Sequence, residues 1–172
     1  MSVLIAVVFQ IVLHVAPETV SETWLDQMLA VANAQFAAVD ASFAYASRDE
    51  HSAAHVVTRT DRDAFAKQVT DNQIHVFVIG KLENVDDDKP VHGVTWRGKG
   101  KRYIIIAADS PDRVLAHELG HLFGLPHSTY KISIMNKTKR DDPPLDQRRF
   151  SDEELKLLRA NVKSSKLAQH AP

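Results

Sequence analysis

The 172-residue chain contains no cysteine. That excludes disulfide scaffolds, thiolate-ligated zinc, iron–sulfur clusters and thiol nucleophiles, and it leaves the compartment open, because a thiol-free chain suits oxidising and reducing surroundings alike. An excess of one charge is also missing. The 21 Lys and Arg against 22 Asp and Glu give a formal net charge of -1, so no global field draws the chain to nucleic acid or to an anionic membrane. Gly 6 and Pro 7 are modest counts, and neither an internal repeat nor a low-complexity tract is present. Long hydrophobic runs are lacking too. The longest, Val3 to Val15, falls short of the roughly 18 to 20 residues that cross a bilayer. It is rich in Val and Ile, no Lys or Arg precedes it, and no small-residue cleavage pattern follows it, so it predicts a buried strand in preference to a signal peptide. With 44% hydrophobic and 25% charged residues, what remains is the profile of one globular domain able to bury a core.

Strand-like and helix-like segments alternate along that domain. Val20 to Val39 carries Val20, Trp24, Met28, Val31 and Phe36 as an apolar stripe behind a polar start at Ser21, which predicts a helix. Ala41 to Ala46 reads as a short strand, and Thr60 or Asp61 as the cap of a brief helix through Val69. Ile74 to Ile79 is a strand ending at Gly80, and Lys81 to Pro90 a polar surface loop. Val91 to Trp96 and Tyr103 to Ala107 are two further strands, joined as a hairpin through the Gly- and Lys-rich Arg97 to Arg102. Ser110, Pro111 and Asp112 have the order of cap, proline and acid that opens a helix.

The chemistry lies in that helix. His117, Glu118, His121, Gly124 and His127 stand at fixed offsets between Leu115 and His127. Four residues apart on a helix, His117 and His121 project from one face one turn apart, close enough for a single zinc ion to bridge. Glu118 is rotated by about 100° from His117, so it can miss the metal and reach a water that the metal holds. Gly124 can adopt a positive φ, ending the helix and turning the chain so that His127 returns to the metal, and Pro126 adds a second reason to stop. Three neutral imidazoles with an open fourth position make a catalytic zinc site, not a structural one. An amphipathic core helix with incidental histidines would leave Glu118 and His127 unexplained.

His117-Glu118-x-x-His121-x-x-Gly124-x-x-His127 resembles the metzincin zinc-binding signature, and Ser133-Ile134-Met135-Asn136 resembles the methionine turn beneath the metal in that family. Ser128 after the third histidine, the Ser-Ile-Met turn and a final helix introduced by Phe150-Ser151-Asp152-Glu153 are most similar to the matrixin catalytic domain. The resemblance implies an α/β fold of the α+β metzincin kind: a twisted, mostly parallel five-stranded sheet with two helices, and an active-site helix ending at Gly124. The N-terminal subdomain would run to about residue 124. A small C-terminal subdomain from about 125 to 172 would hold the Met-turn and one helix, with the cleft between. It also implies a zinc-dependent endopeptidase that uses a zinc-activated water, with Glu118 as general base and then acid, and Met135 as a hydrophobic floor under the metal. Peptide or protein substrate would add as a strand along an exposed edge formed by Val91, His92, Gly93, Val94, Thr95 and Trp96.

The chain departs from the family in places. It offers no cysteine for a cysteine switch, and Lys137 stands where some relatives place a tyrosine ligand. Residues 48 to 70 read as longer and more helical than the matrixin counterpart. In place of a second zinc and calcium site the loop has Asp86, Asp87, Asp88 and the nearby His92; no second zinc is expected, and a calcium ion on the aspartates competes with a plain solvated face. His14, His51, His55, His75, His92 and His170 are expected to be structural or solvated, Tyr130 to pack as a loop aromatic or donate to an oxyanion, and Lys99, Lys101 and Arg102 to form a solubilising hairpin tip. Two other readings stay open. One is a protease toxin or effector held by a separate inhibitor protein, distinguishable by a copurifying partner; the other is an inactive binding module, which the presence of Glu118 argues against. Substrate preference, latency, localisation and oligomeric state are not legible.

Overall fold

A computed structural model describes residues 7–16, 18–52, 54–138, 141–167 and 169–170. The apolar N-terminal run forms β1 (Val7–Val15), which is followed by α1 (Glu22–Phe36), capped by Ser21. The first positions of the expected strand, residues 3–6, lie outside the described residues. Then come β2 (Ala41–Asp49), β3 (His55–Val56), α2 (Arg59–Ala64), β4 (Ile74–Ile79), β5 (Lys81–Leu82), β6 (Gly93–Gly98) and β7 (Lys101–Ala107). The chain ends with α3 (Val114–Leu122), α4 (Asp152–Ser164) and the short β8 (Gln169–His170).

The main sheet has the order β2-β1-β4-β7-β6. The first four strands of that order are parallel, β6 runs antiparallel at the edge beside β7, and the sixth strand, β8, pairs antiparallel with Val8 and Phe9 of β1. Both faces of the central strands are covered, so β4, His75 apart, and most of β7 are apolar without alternation, as expected of strands buried on two sides. On one face Ile11, Leu13, Val76 and Ile104 pack with Met28 and Phe36 of α1, Leu115 and Leu119 of α3, and Leu158 of α4. On the other, Phe77, Ile105 and Tyr103 pack under Phe65, Ala66 and Val69. The antiparallel β6 thus presents its outer edge beside α3. Among the described residues no helix is long and apolar enough to cross a membrane.

Several boundaries differ from expectation for identifiable reasons. The second helix is capped by Thr58, not Thr60 or Asp61: the Thr58 hydroxyl accepts from the Asp61 N–H while the Asp61 carboxylate accepts from the Thr58 N–H, a reciprocal capping box. Ser110 does not cap α3; its hydroxyl donates to the His92 carbonyl at 2.6 Å, and the helix starts behind Arg113 without a side-chain cap. The loop from Lys81 to Pro90 begins as β5, paired with β3. Two of the three aspartates in that loop are engaged by neighbours: Asp86 with Arg59 at 3.0 Å, and Asp87 with Lys89 at 3.0 Å and the Asn84 amide at 2.8 Å. Calcium is not supported there.

Candidate metal centre

α3 carries its apolar side, Leu115, Ala116, Leu119 and Phe123, into the core, which turns His117 and His121 to the opposite side, one turn apart, with ring centroids 4.8 Å from each other. The helix ends in a Schellman motif. Gly124, at φ +93°, sends its N–H to the His121 carbonyl at 3.0 Å, and the Leu125 N–H returns to the Gly120 carbonyl at 2.9 Å. That reversal brings the exposed His127 back to the pair, its ring centroid 4.7 Å from His121 and 5.5 Å from His117. Each of the three can offer a ring nitrogen, and these nitrogens all lie within 4.8 Å of one another.

The donor set fits a zinc ion. His117 Nδ1 lies 2.7 Å from the Ile134 carbonyl and His121 Nδ1 2.7 Å from the Leu125 carbonyl. A carbonyl only accepts, so both Nδ1 atoms carry the proton and both Nε2 atoms have a free lone pair. Burial opposes protonation of all three rings, lowering the His117 pKa to about 4 and those of His121 and His127 below the ordinary value. Neutral imidazole is the form a metal requires.

Glu118 is on the same helix but points to β6. It is 4% exposed, and burial pushes its carboxyl up to about 7 against the hydrogen bonds from Thr95 and the charge of Arg62. The Thr95 hydroxyl stands 2.9 Å from Glu118 Oε2 and 2.7 Å from the Glu118 carbonyl. Gly93, two residues earlier in β6, permits this approach, since a Cβ there would meet Glu118 Oε1 at 3.1 Å and Val114 Cγ1 at 2.7 Å. Within the edge segment, His92 holds Ser110 and Ala107 through its carbonyl. Val91 and Val94 pack towards the second cluster, and Trp96 turns away from Glu118, donating to Asp63 at 2.8 Å under the Arg62 guanidinium.

Met135 is fully buried, and its sulfur lies against Gly120, where a Cβ would come within 2.6 Å. The turn that holds it is tied to α4: the Ser133 hydroxyl accepts from the Met135 N–H and lies 2.8 Å from both oxygens of Glu154, which also caps the Ser151 N–H. Asn161 of α4 donates to the Phe123 carbonyl at 2.7 Å, closing the end of α3 from the other side. The supporting roles of Ser133, Glu154 and Asn161 went unread in the sequence; only the Ser151-x-x-Glu154 capping spacing was available as a signal. Tyr130 is 48% exposed. His14 and His75 form a buried pair on the far face, and His55 bonds Glu83.

The matrixin family profile matches residues 108–153, from the end of β7 to the start of α4. No curated protein matches the chain. Among solved structures, metalloproteinase-II from Bacteroides fragilis superposes with a TM-score of 0.67 at 14% identity, over 91% of this chain and 53% of that one. The chain therefore spans about half the length of that relative. Archaemetzincin from Methanopyrus kandleri superposes with a TM-score of 0.64 at 15% identity, over 90% of this chain and 96% of that one. The matched segment contains the His117 to His127 stretch and the Ser133 to Asn136 turn, and the fold is similar to that of these two solved structures.

Proposed function

We propose that this metzincin-type chain is a zinc-dependent endopeptidase, with His117, His121 and His127 as metal ligands and Glu118 as the general base and acid. The observation that carries the reading is the convergence of three imidazole nitrogens, one from each ring, within 4.8 Å of one another, beside a buried carboxyl on the same helix as two of them. When bound, zinc supplies Lewis acidity that polarises a carbonyl and brings the acidity of water near neutrality. Glu118 takes a proton from the attacking water as its oxygen bonds to the scissile carbon, then delivers it to the nitrogen as the C–N bond breaks. A carboxyl whose pKa burial pushes towards about 7 is suited to both transfers. Thr95 restrains its approach from β6. A peptide would lie extended on the open edge of β6, held by main-chain hydrogen bonds across a cleft whose other bank begins after Gly124.

The decisive experiment combines metal analysis with cleavage mapping on a proteome-derived peptide library. The intact protein is expected to bind one zinc and cut peptides internally. Glu118→Ala is expected to keep the fold and the zinc while losing at least about 10²-fold in activity. His121→Ala is expected to lose the metal. Zinc without cleavage in the intact protein would leave a binding module, and no zinc at all would remove the assignment.

A further inference from the structure

The β6–β7 hairpin sets one arginine directly opposite another. Arg97 and Arg102 are register partners, and like charges facing each other across two strands destabilise the pairing. Alternation along β6 puts Arg97 on the face of Thr95, the residue that meets Glu118, whereas Trp96 between them faces the opposite way. Arg102 lies on that same face and reaches α3, its Nη2 donating to the His121 carbonyl at 2.7 Å. Both side chains therefore belong to the metal-centre side of the hairpin.

Neither has an anionic partner among the described residues. Arg48 pairs with Glu22, Arg59 with Asp86, Lys89 with Asp87 and Lys101 with Asp71. Among the described residues no carboxylate lies within ion-pair distance of Arg97 or Arg102. The neighbouring field has the same sign, since Arg113, Arg102 and Lys137 are the charged side chains outside the triad that act on His117, His121 and His127. In a chain whose charges balance to -1, Arg97 and Arg102 thus stand beside the candidate site with no carboxylate at ion-pair distance among the described residues.

We propose that Arg97 and Arg102 form an anion subsite that selects peptides with an Asp or Glu side chain N-terminal to the scissile bond. The inference rests on the peptidase reading above. A substrate antiparallel to β6, with its scissile bond level with Thr95 and Glu118, runs its N-terminal portion over Arg97. Two residues along a strand is about 7 Å, so the acidic side chain belongs two or three positions before the cleaved bond. Arg97 offers a complete guanidinium fork to a carboxylate, and Arg102 its remaining N–H groups.

The test is a library cleavage profile of the zinc-loaded protein, its Arg97→Ala variant and its Arg97→Glu variant, with thermal melts confirming that all three fold. The intact protein is expected to favour Asp or Glu over Asn or Gln at those positions by at least about tenfold in kcat/KM, the scale of one charge-assisted pair. Arg97→Ala is expected to lose the preference and Arg97→Glu to turn it towards Lys or Arg. Cleavage without acidic preference, or a preference that survives Arg97→Glu, overturns the subsite. If the intact protein cuts nothing, the peptidase reading fails instead, and the subsite is judged by fluorescence anisotropy. In that assay the zinc-free protein should bind a labelled Asp/Glu peptide more tightly than its Asn/Gln counterpart, with the difference abolished in Arg97→Ala; equal binding overturns it.

Discussion

Thr95 has one hydroxyl proton and two acceptors in reach, the Glu118 carbonyl and the Glu118 carboxylate. The proton can serve one of them at a time, so the contact restrains the carboxyl without pinning it, which suits a group that must both accept and deliver a proton. A hydrogen bond of this kind contributes about 1 kcal/mol or somewhat more when one partner is charged. Thr95→Val keeps the shape and removes the hydroxyl. It is expected to lower kcat by about tenfold with KM and zinc content little changed, and Thr95→Ser should recover most of the loss. A fall in zinc content, or equal loss in the serine and valine variants, would make the residue a packing element only. Steady-state kinetics with metal analysis separates these outcomes.

At the scale of the element, α3 is defined by how it stops. Gly124 sits at φ +93°, and a Cβ there would stand 2.9 Å from the Asn161 amide, whose other contact closes the Phe123 carbonyl. Gly124→Ala is therefore expected to cost about 1–2 kcal/mol, lowering Tm by about 2–8 °C, and to weaken zinc binding because His127 lies just beyond the turn. Thermal melts with and without zinc measure both. This stop was legible because every part of it lies within one short stretch: the histidine spacing, the glycine and Pro126 act through local backbone geometry. The start was not. Ser110-Pro111-Asp112 has the right composition for a cap, but the Ser110 hydroxyl is taken by the His92 carbonyl of a different segment. The same limit hid Thr95. Its role depends on Gly93 allowing β6 to approach α3, a tertiary fact that strand alternation does not encode. The position of β6 at the sheet edge was readable from its polar and Gly-rich flanks; its onset at Gly93 and its extension to Gly98 were settled by pairing with β7.

The molecule as a whole contains a second group of histidines, which links its stability to pH. His14 of β1 and His75 of β4, 61 residues apart in sequence, share a 2.8 Å hydrogen bond beneath the second core cluster. The Thr70 N–H donates to His75 Nε2 at 3.2 Å, so the His75 proton sits on Nδ1 and points to His14 Nε2. A further proton on either ring would be a buried charge, since His14 stacks on Phe77 at 4.1 Å and both residues are about 2% exposed; Asp49 Oδ2, 3.8 Å from His14 Nδ1, favours protonation and offsets only part of that cost. Burial lowers both pKa values, that of His75 from 6.5 to about 4. Between those two values the unfolded chain binds the proton and the folded one does not, so folding stability rises with pH and falls as the medium is acidified from about 6.5 towards 4. Each tenfold difference in proton affinity is worth about 1.4 kcal/mol, and the loss belongs to the His14–His75 pair together, because the two rings share a hydrogen bond. Denaturant titrations of zinc-free protein at pH 7.5, 6, 5 and 4 should show the decline. His75→Leu, less stable at pH 7.5 because it strands the Thr70 N–H and His14 Nε2, should lose less on acidification than the intact protein; parallel curves would mean that His75 does not carry the linkage.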